Sequence, residues 1–132
     1  MKRLILIAGA ALLASTAASL ADGDVDKGEK VFRKCKACHA VGEDAKNKVG
    51  PELNGIIGRV VASVEDYKYS SAMTEFGADG KVWDAETLTA YLHKPKDVVP
   101  KTKMAFAGLK KDDDIEDVLA YLGQFNADGT MK

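Results

Sequence analysis

The chain has 132 residues, room for one small domain with a modest core; 46% of them are hydrophobic and 30% are charged. Its 19 Lys+Arg and 20 Asp+Glu give a formal net charge of −1, which excludes the strongly basic footprint of phosphate-backbone binding, so no nucleic-acid partner is expected. Two cysteines and two histidines leave little material for an all-protein metal cage.

The first element is a targeting segment. Lys2 and Arg3, the apolar and glycine run from Leu4 to Leu13, and the small residues around Ser19-Leu20-Ala21 predict a signal peptide over residues 1–21, cleaved after Ala21. The apolar run is too short for a bilayer span. An exported, periplasmic domain over residues 22–132 is therefore expected. It would carry 17 Lys+Arg against 20 Asp+Glu, because residues 1–21 hold two bases and no acid.

Between Asp24 and Lys34, acids in the first turn and bases in the last match the helix macrodipole and predict the first helix. Val25, Gly28, Val31 and Phe32 recur at helical spacing, with Gly28 leaving room for a close backbone. From Ala40 to Tyr69 the pattern lapses into glycine, Asn and Pro51, which reads as a wrapping loop without a strand. Ser70 or Ser71 caps a short helix through Phe76, ended by Gly77-Ala78-Asp79-Gly80. Asp84 caps the next helix, whose stripe is Leu88, Tyr91 and Leu92 and which Pro95 stops. Pro95 to Ala107 reads as irregular. Asp112, Asp113 and Asp114 then introduce a helix with Ile115, Val118, Leu119 and Leu122 on one face, running to about Phe125. Asn126 to Lys132 reads as a frayed tail. The class is all-α, four to five helices with long loops. So small an apolar inventory does not enclose loops of that length unless a large apolar group fills the centre.

Cys35-Lys36-Ala37-Cys38-His39 is the attachment pattern of c-type haem. Two thiols at this spacing reach the two porphyrin vinyl groups as thioethers, and the adjoining imidazole is delivered to one face of the iron. A thioredoxin-like pair lacks its alternating strands here, and zinc lacks further ligands, since the only other histidine is His93. One covalently bound haem c is therefore expected, with His39 as an axial ligand. For the opposite face the domain offers His93, Met73, Met104 and Met131. Met104 is preferred because it stands in the loop Pro100 to Phe106 with no helical pattern to serve, whereas Met73 reads as core, Met131 as tail and His93 as a partly exposed helix end. His/Met ligation fills both axial positions and raises the reduction potential. A one-electron carrier, not an enzyme, follows.

The stretch from Asp24 to about Leu122 resembles the class I cytochromes c, of the bacterial cytochrome c2 and mitochondrial cytochrome c type. Gly50-Pro51-Glu52-Leu53-Asn54-Gly55 is similar to the family's Gly-Pro-x-Leu-x-Gly segment. The resemblance implies the small cytochrome c fold wrapped around its haem, with the Pro51 carbonyl accepting the His39 Nδ1 proton. It implies that Arg59, Tyr69 and Trp83 hydrogen-bond a buried haem propionate, that Tyr91 and Thr102 flank the Met side, and that Phe106 lies beside the exposed haem edge. Gly28, Phe32, Val118 and Tyr121 match the contact between the first and last helices. Phe32 stands three residues before Cys35, one fewer than in mitochondrial relatives, which resembles the bacterial subgroup.

By the same resemblance the partners are membrane redox complexes, such as a quinol-oxidising complex and a terminal oxidase or photosynthetic reaction centre. They would dock transiently on a monomer at a haem edge bordered by lysines 34, 36, 46, 48, 94, 96, 101, 103, 110 and 111. No small-molecule substrate is expected. Two rivals remain at this stage: a haem enzyme or gas sensor in which Met104 dissociates, and a cysteine-pair thiol oxidoreductase.

Overall fold

A computed structural model describes residues 23–132, which form five helices joined by long loops. The targeting segment over residues 1–21, and Asp22, lie outside the described residues. Among those described, no helix is long and apolar enough to cross a membrane.

Each of the first three helices begins where a short polar side chain takes up an orphan N–H. In α1 (Val25–Phe32), Asp24 accepts from Lys27 N at 3.0 Å. In α2 (Ser71–Phe76), Ser70 accepts from Met73 N at 3.1 Å. In α3 (Ala85–His93), Asp84 accepts from Thr87 N at 2.7 Å. The last helix, α5 (Asp112–Leu122), starts after Lys111 without a side-chain cap; three aspartates in its first turn face the positive end of the dipole instead.

Between them, in a stretch whose sequence pattern reads as irregular, lies α4 (Pro95–Val98). Pro95 does stop α3, since Lys94 is forced extended at φ −155°, ψ 90°. The same ring then serves as a pre-set first residue for a new turn, closed by Val99 N to Pro95 O at 2.9 Å. Two helices are shorter than expected. α1 ends at Phe32, after which Lys34 and Cys35 bond back three residues, to Val31 O and Phe32 O. α5 likewise ends at Leu122, and Gln124 and Phe125 continue as three-residue turns.

α1 crosses α5 closely at Gly28, where an added Cβ would run into the Asp117 carbonyl and lie 2.8 Å from Tyr121 Cβ. Phe32 and Tyr121 stack beside the crossing with ring centroids 5.5 Å apart, and Asp117 accepts from Asp24 N at 2.8 Å. Phe32, Ile115 and Val118 are fully buried there. Trp83, Leu88, Tyr91, Val99 and Leu109 carry the same core away from α1 and into the loops.

The long loop from residue 40 to 69 holds no strand. Its one pairing is an isolated antiparallel bridge between Val60 and Val82. The expectation of a frayed tail over residues 126–132 is corrected by the structure. Lys132 N bonds to Gln124 O and Asn126 N to Thr130 O, both at 2.8 Å, and Phe125 pairs with Met131. Gly129 is buried against the Gly42 carbonyl, so the chain end is clasped onto the loop.

Candidate haem site

The Cys35 to His39 motif makes its own turn directly after α1. Cys38 N and His39 N both bond to Cys35 O, at 3.1 and 2.9 Å. Both thiols are free and half-buried. Burial, with Cys38 close by, pushes the Cys35 thiol up from its usual pKa. Thiol oxidoreductases need the opposite, a depressed pKa that supplies thiolate.

His39 is fixed from two sides. Its Nδ1 donates to the Pro51 carbonyl at 2.7 Å, which assigns the tautomer and leaves Nε2 with its lone pair free. Gly50 packs against the ring, where a Cβ would lie 2.8 Å from Nδ1 and 2.9 Å from Nε2 and still closer to Cε1. Gly50 N in turn bonds to Cys38 O at 2.8 Å, tying the loop back to the motif. Burial pushes the imidazole pKa down, with the Pro51 bond partly opposing it and the Arg59 charge adding to it. A neutral imidazole held by one nitrogen and presented by the other is the form that binds iron.

Arg59 is half-buried and makes its hydrogen bonds from Nη1: to Glu52 O at 2.9 Å, Glu52 Oε1 at 3.2 Å and Asn54 O at 3.1 Å. Its pKa is pushed down by burial, with Glu52 opposing. Tyr69 accepts from Val64 N at 3.1 Å through its hydroxyl, and burial pushes its pKa up, partly offset by that bond and by Arg59. Trp83 is buried between Phe76 and Tyr91, at centroid distances of 5.7 and 5.0 Å. Tyr91 OH and Thr102 Oγ1 are hydrogen-bonded at 2.9 Å, and Thr102 Oγ1 also accepts from Met104 N at 3.3 Å, so α3 braces the Met104 loop. Met104 and Phe106 pack on the core while staying half-exposed.

Among the other sulfur and nitrogen donors, Met73 packs on the core and Met131 is exposed. His93 is exposed with Nδ1 on the Leu109 carbonyl at 3.2 Å.

Three residues of the Gly-Pro-x-Leu-x-Gly segment have a part in this geometry that the sequence does not assign. Gly50 had no visible partner. Glu52 stands seven positions before Arg59, a spacing with no periodic meaning in a loop. Asn54, the one buried polar residue among those described, bonds both Gly42 N and Gly42 O through its side-chain amide. Only its place inside a glycine-rich turn could have pointed to it.

The donor set fits a haem c. Two half-buried thiols stand on one turn, the adjoining imidazole has Nε2 free, and Met104 offers a half-exposed thioether. Among the described residues no cluster of three or more His, Cys, Asp or Glu is arranged to hold a metal ion by itself.

Comparison with known proteins agrees. The family profile described as Cytochrome c matches residues 25–126. The chain is 60% identical over 104 residues to the cytochrome c-550 of Ancylobacter novellus, covering 79% of this chain and 97% of that protein. It is 55% identical to the cytochrome c2 of Afifella marina, covering 80% and 85%. The solved structure of cytochrome c2 from Rhodospirillum centenum superposes with a TM-score of 0.74 at 41% identity, covering 79% of this chain and 99% of that one.

Proposed function

The chain belongs to the cytochrome c family, and from that premise we propose that it is an exported, periplasmic monohaem electron carrier whose iron is held by His39 and Met104. The family binds haem c covalently, and Cys35 and Cys38 are the thiols placed to hold it. When bound, the group supplies a single Fe(III)/Fe(II) couple. The observation that carries this reading is the Nδ1 bond of His39 to Pro51 O at 2.7 Å, which turns Nε2 into a fixed donor.

Around that donor, the chain's own side chains have separable tasks. Gly50 and Pro51 orient the imidazole and raise its basicity. Met104 would take the opposite face, its loop braced by Thr102 and Tyr91, which leaves no open position for oxygen or peroxide. Arg59, Tyr69 and Trp83 would hold a propionate that burial makes costly unless it is hydrogen-bonded. Phe106 would border the edge through which the electron leaves. The lysines named above are all exposed and would steer encounter with acidic membrane redox complexes, such as a quinol-oxidising complex and a terminal oxidase or reaction centre.

Met104→Ala is the decisive experiment. The variant is expected to bind carbon monoxide readily in the reduced state, where the parent does not, and to have a lower reduction potential. Rapid carbon monoxide binding by the parent at neutral pH would favour a gas-binding or peroxide-using protein instead. An unchanged potential in the variant would remove Met104 as a ligand.

A further inference from the structure

The bonds of Arg59 are lopsided. All three that it makes among the described residues start from Nη1, and two of them end on Glu52, one on its carbonyl and one on its carboxylate. A guanidinium carries five N–H donors in a rigid fork. With Nη1 occupied by Glu52 and Asn54, the Nη2 and Nε edge is left for another acceptor.

Glu52 is itself held in place. Its Oε2 accepts from Asn54 N at 2.8 Å, and its own N–H donates to Asn47 Oδ1 at 2.9 Å. The Glu52 and Arg59 side chains are 20% and 14% exposed, so the pair sits where charge is poorly screened. Glu52 is also the variable position of the Gly-Pro-x-Leu-x-Gly segment, so the resemblance assigns it no task.

We propose that Glu52 is a positioning residue that clamps the Nη1 edge of Arg59, aims the opposite edge at a haem propionate, and by its own negative charge lowers the reduction potential. The proposal rests on the reading that Arg59 meets a propionate. One guanidinium is then shared by two carboxylates. The charge on Glu52 favours Fe(III) over Fe(II), and it also draws on the positive charge that would otherwise neutralise the propionate. Both effects have the same sign. Tyr69 and His39 are the other titratable groups that sense the Arg59 charge.

The test is a redox titration of the haem-loaded Glu52→Gln, Glu52→Asp and Arg59→Gln proteins, with absorption spectra of both oxidation states to check unchanged ligation. Glu52→Gln keeps shape and removes charge. It is expected to raise the potential by a three- to tenfold shift of the redox equilibrium, where tenfold corresponds to about 59 mV for one electron. Glu52→Asp retains the carboxylate and is expected to stay within twofold of the parent even if it melts earlier. Arg59→Gln should lower the potential.

A Glu52→Gln potential within twofold of the parent, while Arg59→Gln falls, overturns the role of Glu52 and leaves the propionate reading standing. Unchanged potentials in both remove the propionate reading as well. A rise in Glu52→Asp equal to that in Glu52→Gln shows that packing rather than charge is at work and overturns the proposal. So does a rise in Glu52→Gln when Arg59→Gln has no effect, because Glu52 then acts without Arg59.

Discussion

Gly50→Ala isolates the contact on which the His39 geometry depends. Gly50 is not among the residues with positive φ, so alanine brings no backbone strain and the added methyl acts alone. The Cβ would lie 2.8 Å from Nδ1 and 2.9 Å from Nε2, whereas ordinary contact begins near 3.4 Å. The ring must therefore retreat by about 0.6 Å or more, enough to carry the 2.7 Å bond to Pro51 beyond the usual limit of about 3.2 Å. Overpacking costs about 1–3 kcal/mol and a buried group left without its partner about 1–3 kcal/mol more. Together these come to about 2–6 kcal/mol, a large share of the roughly 5–15 kcal/mol that holds a typical domain folded. For a domain of this size that is a fall in Tm of roughly 8–24 °C. A weakened Nδ1 bond also makes the imidazole a poorer donor, so the potential is expected to rise. Thermal melting and redox titration of the haem-loaded protein read the two effects separately. Gly58→Ala is the control, with φ +87° and open space around its Cβ, so it carries only the backbone cost. Parent-like melting and potential in Gly50→Ala, or a loss no larger than that of Gly58→Ala, would refute the reasoning.

Gly28→Ala should destabilise by about 1–3 kcal/mol or more through the clash with Asp117 O and Tyr121 Cβ. Its potential is expected to stay unchanged, because the added methyl meets Asp117 and Tyr121 and none of the proposed ligands; equal shifts in melting and potential would contradict that separation. Asp84→Ala tests the α3 cap through its acid limb. Bonds from the Thr87 side chain and N–H hold the exposed Asp84 carboxyl below its usual pKa. A depressed carboxylate stabilises above its unfolded pKa of 3.8 and loses that contribution as pH falls through the folded value. Melting curves of parent and variant should therefore differ at neutral pH and converge in acid, and a gap that persists at low pH would assign the effect to something other than the charge.

Much of the scaffold was legible because its signals are local. The caps at Ser70 and Asp84 and the acidic first turns beside Asp24 and Asp112 act within one turn, so the local sequence places the starts of α1, α2, α3 and α5. The stripe Ile115, Val118, Leu119 and Leu122 is likewise buried as its spacing requires. What escaped was a residue with two local roles, and contacts set by the path of the loops. Pro95 reads as a stop, and only the extended Lys94 before it shows that it also starts α4. The tail reads as polar and frayed because its partners, Gly42 and Gln124, are not neighbours in any periodic sense. Arg59 was linked with an interior carboxylate through family resemblance, but its protein partner is Glu52, whose position follows from the path of a loop.

That loop brings both proposed electronic controls onto one short stretch. Gly50 and Pro51 orient His39, and Glu52 and Asn54 hold Arg59. Asn54 joins the two by reading both backbone groups of Gly42, offering its carbonyl to Arg59 and its N–H to Glu52. Gly42 is in turn covered by the folded-back tail at Gly129. With its buried polar groups paired, such a segment has few soft directions in which to move. The proposed ligand His39, held by Pro51, and the Glu52–Arg59 pair are both tied to this segment, so hydrogen bonds within residues 50–59 would limit movement on that side of the site during electron transfer. The Thr102 and Tyr91 bonds would do the same for the Met104 loop.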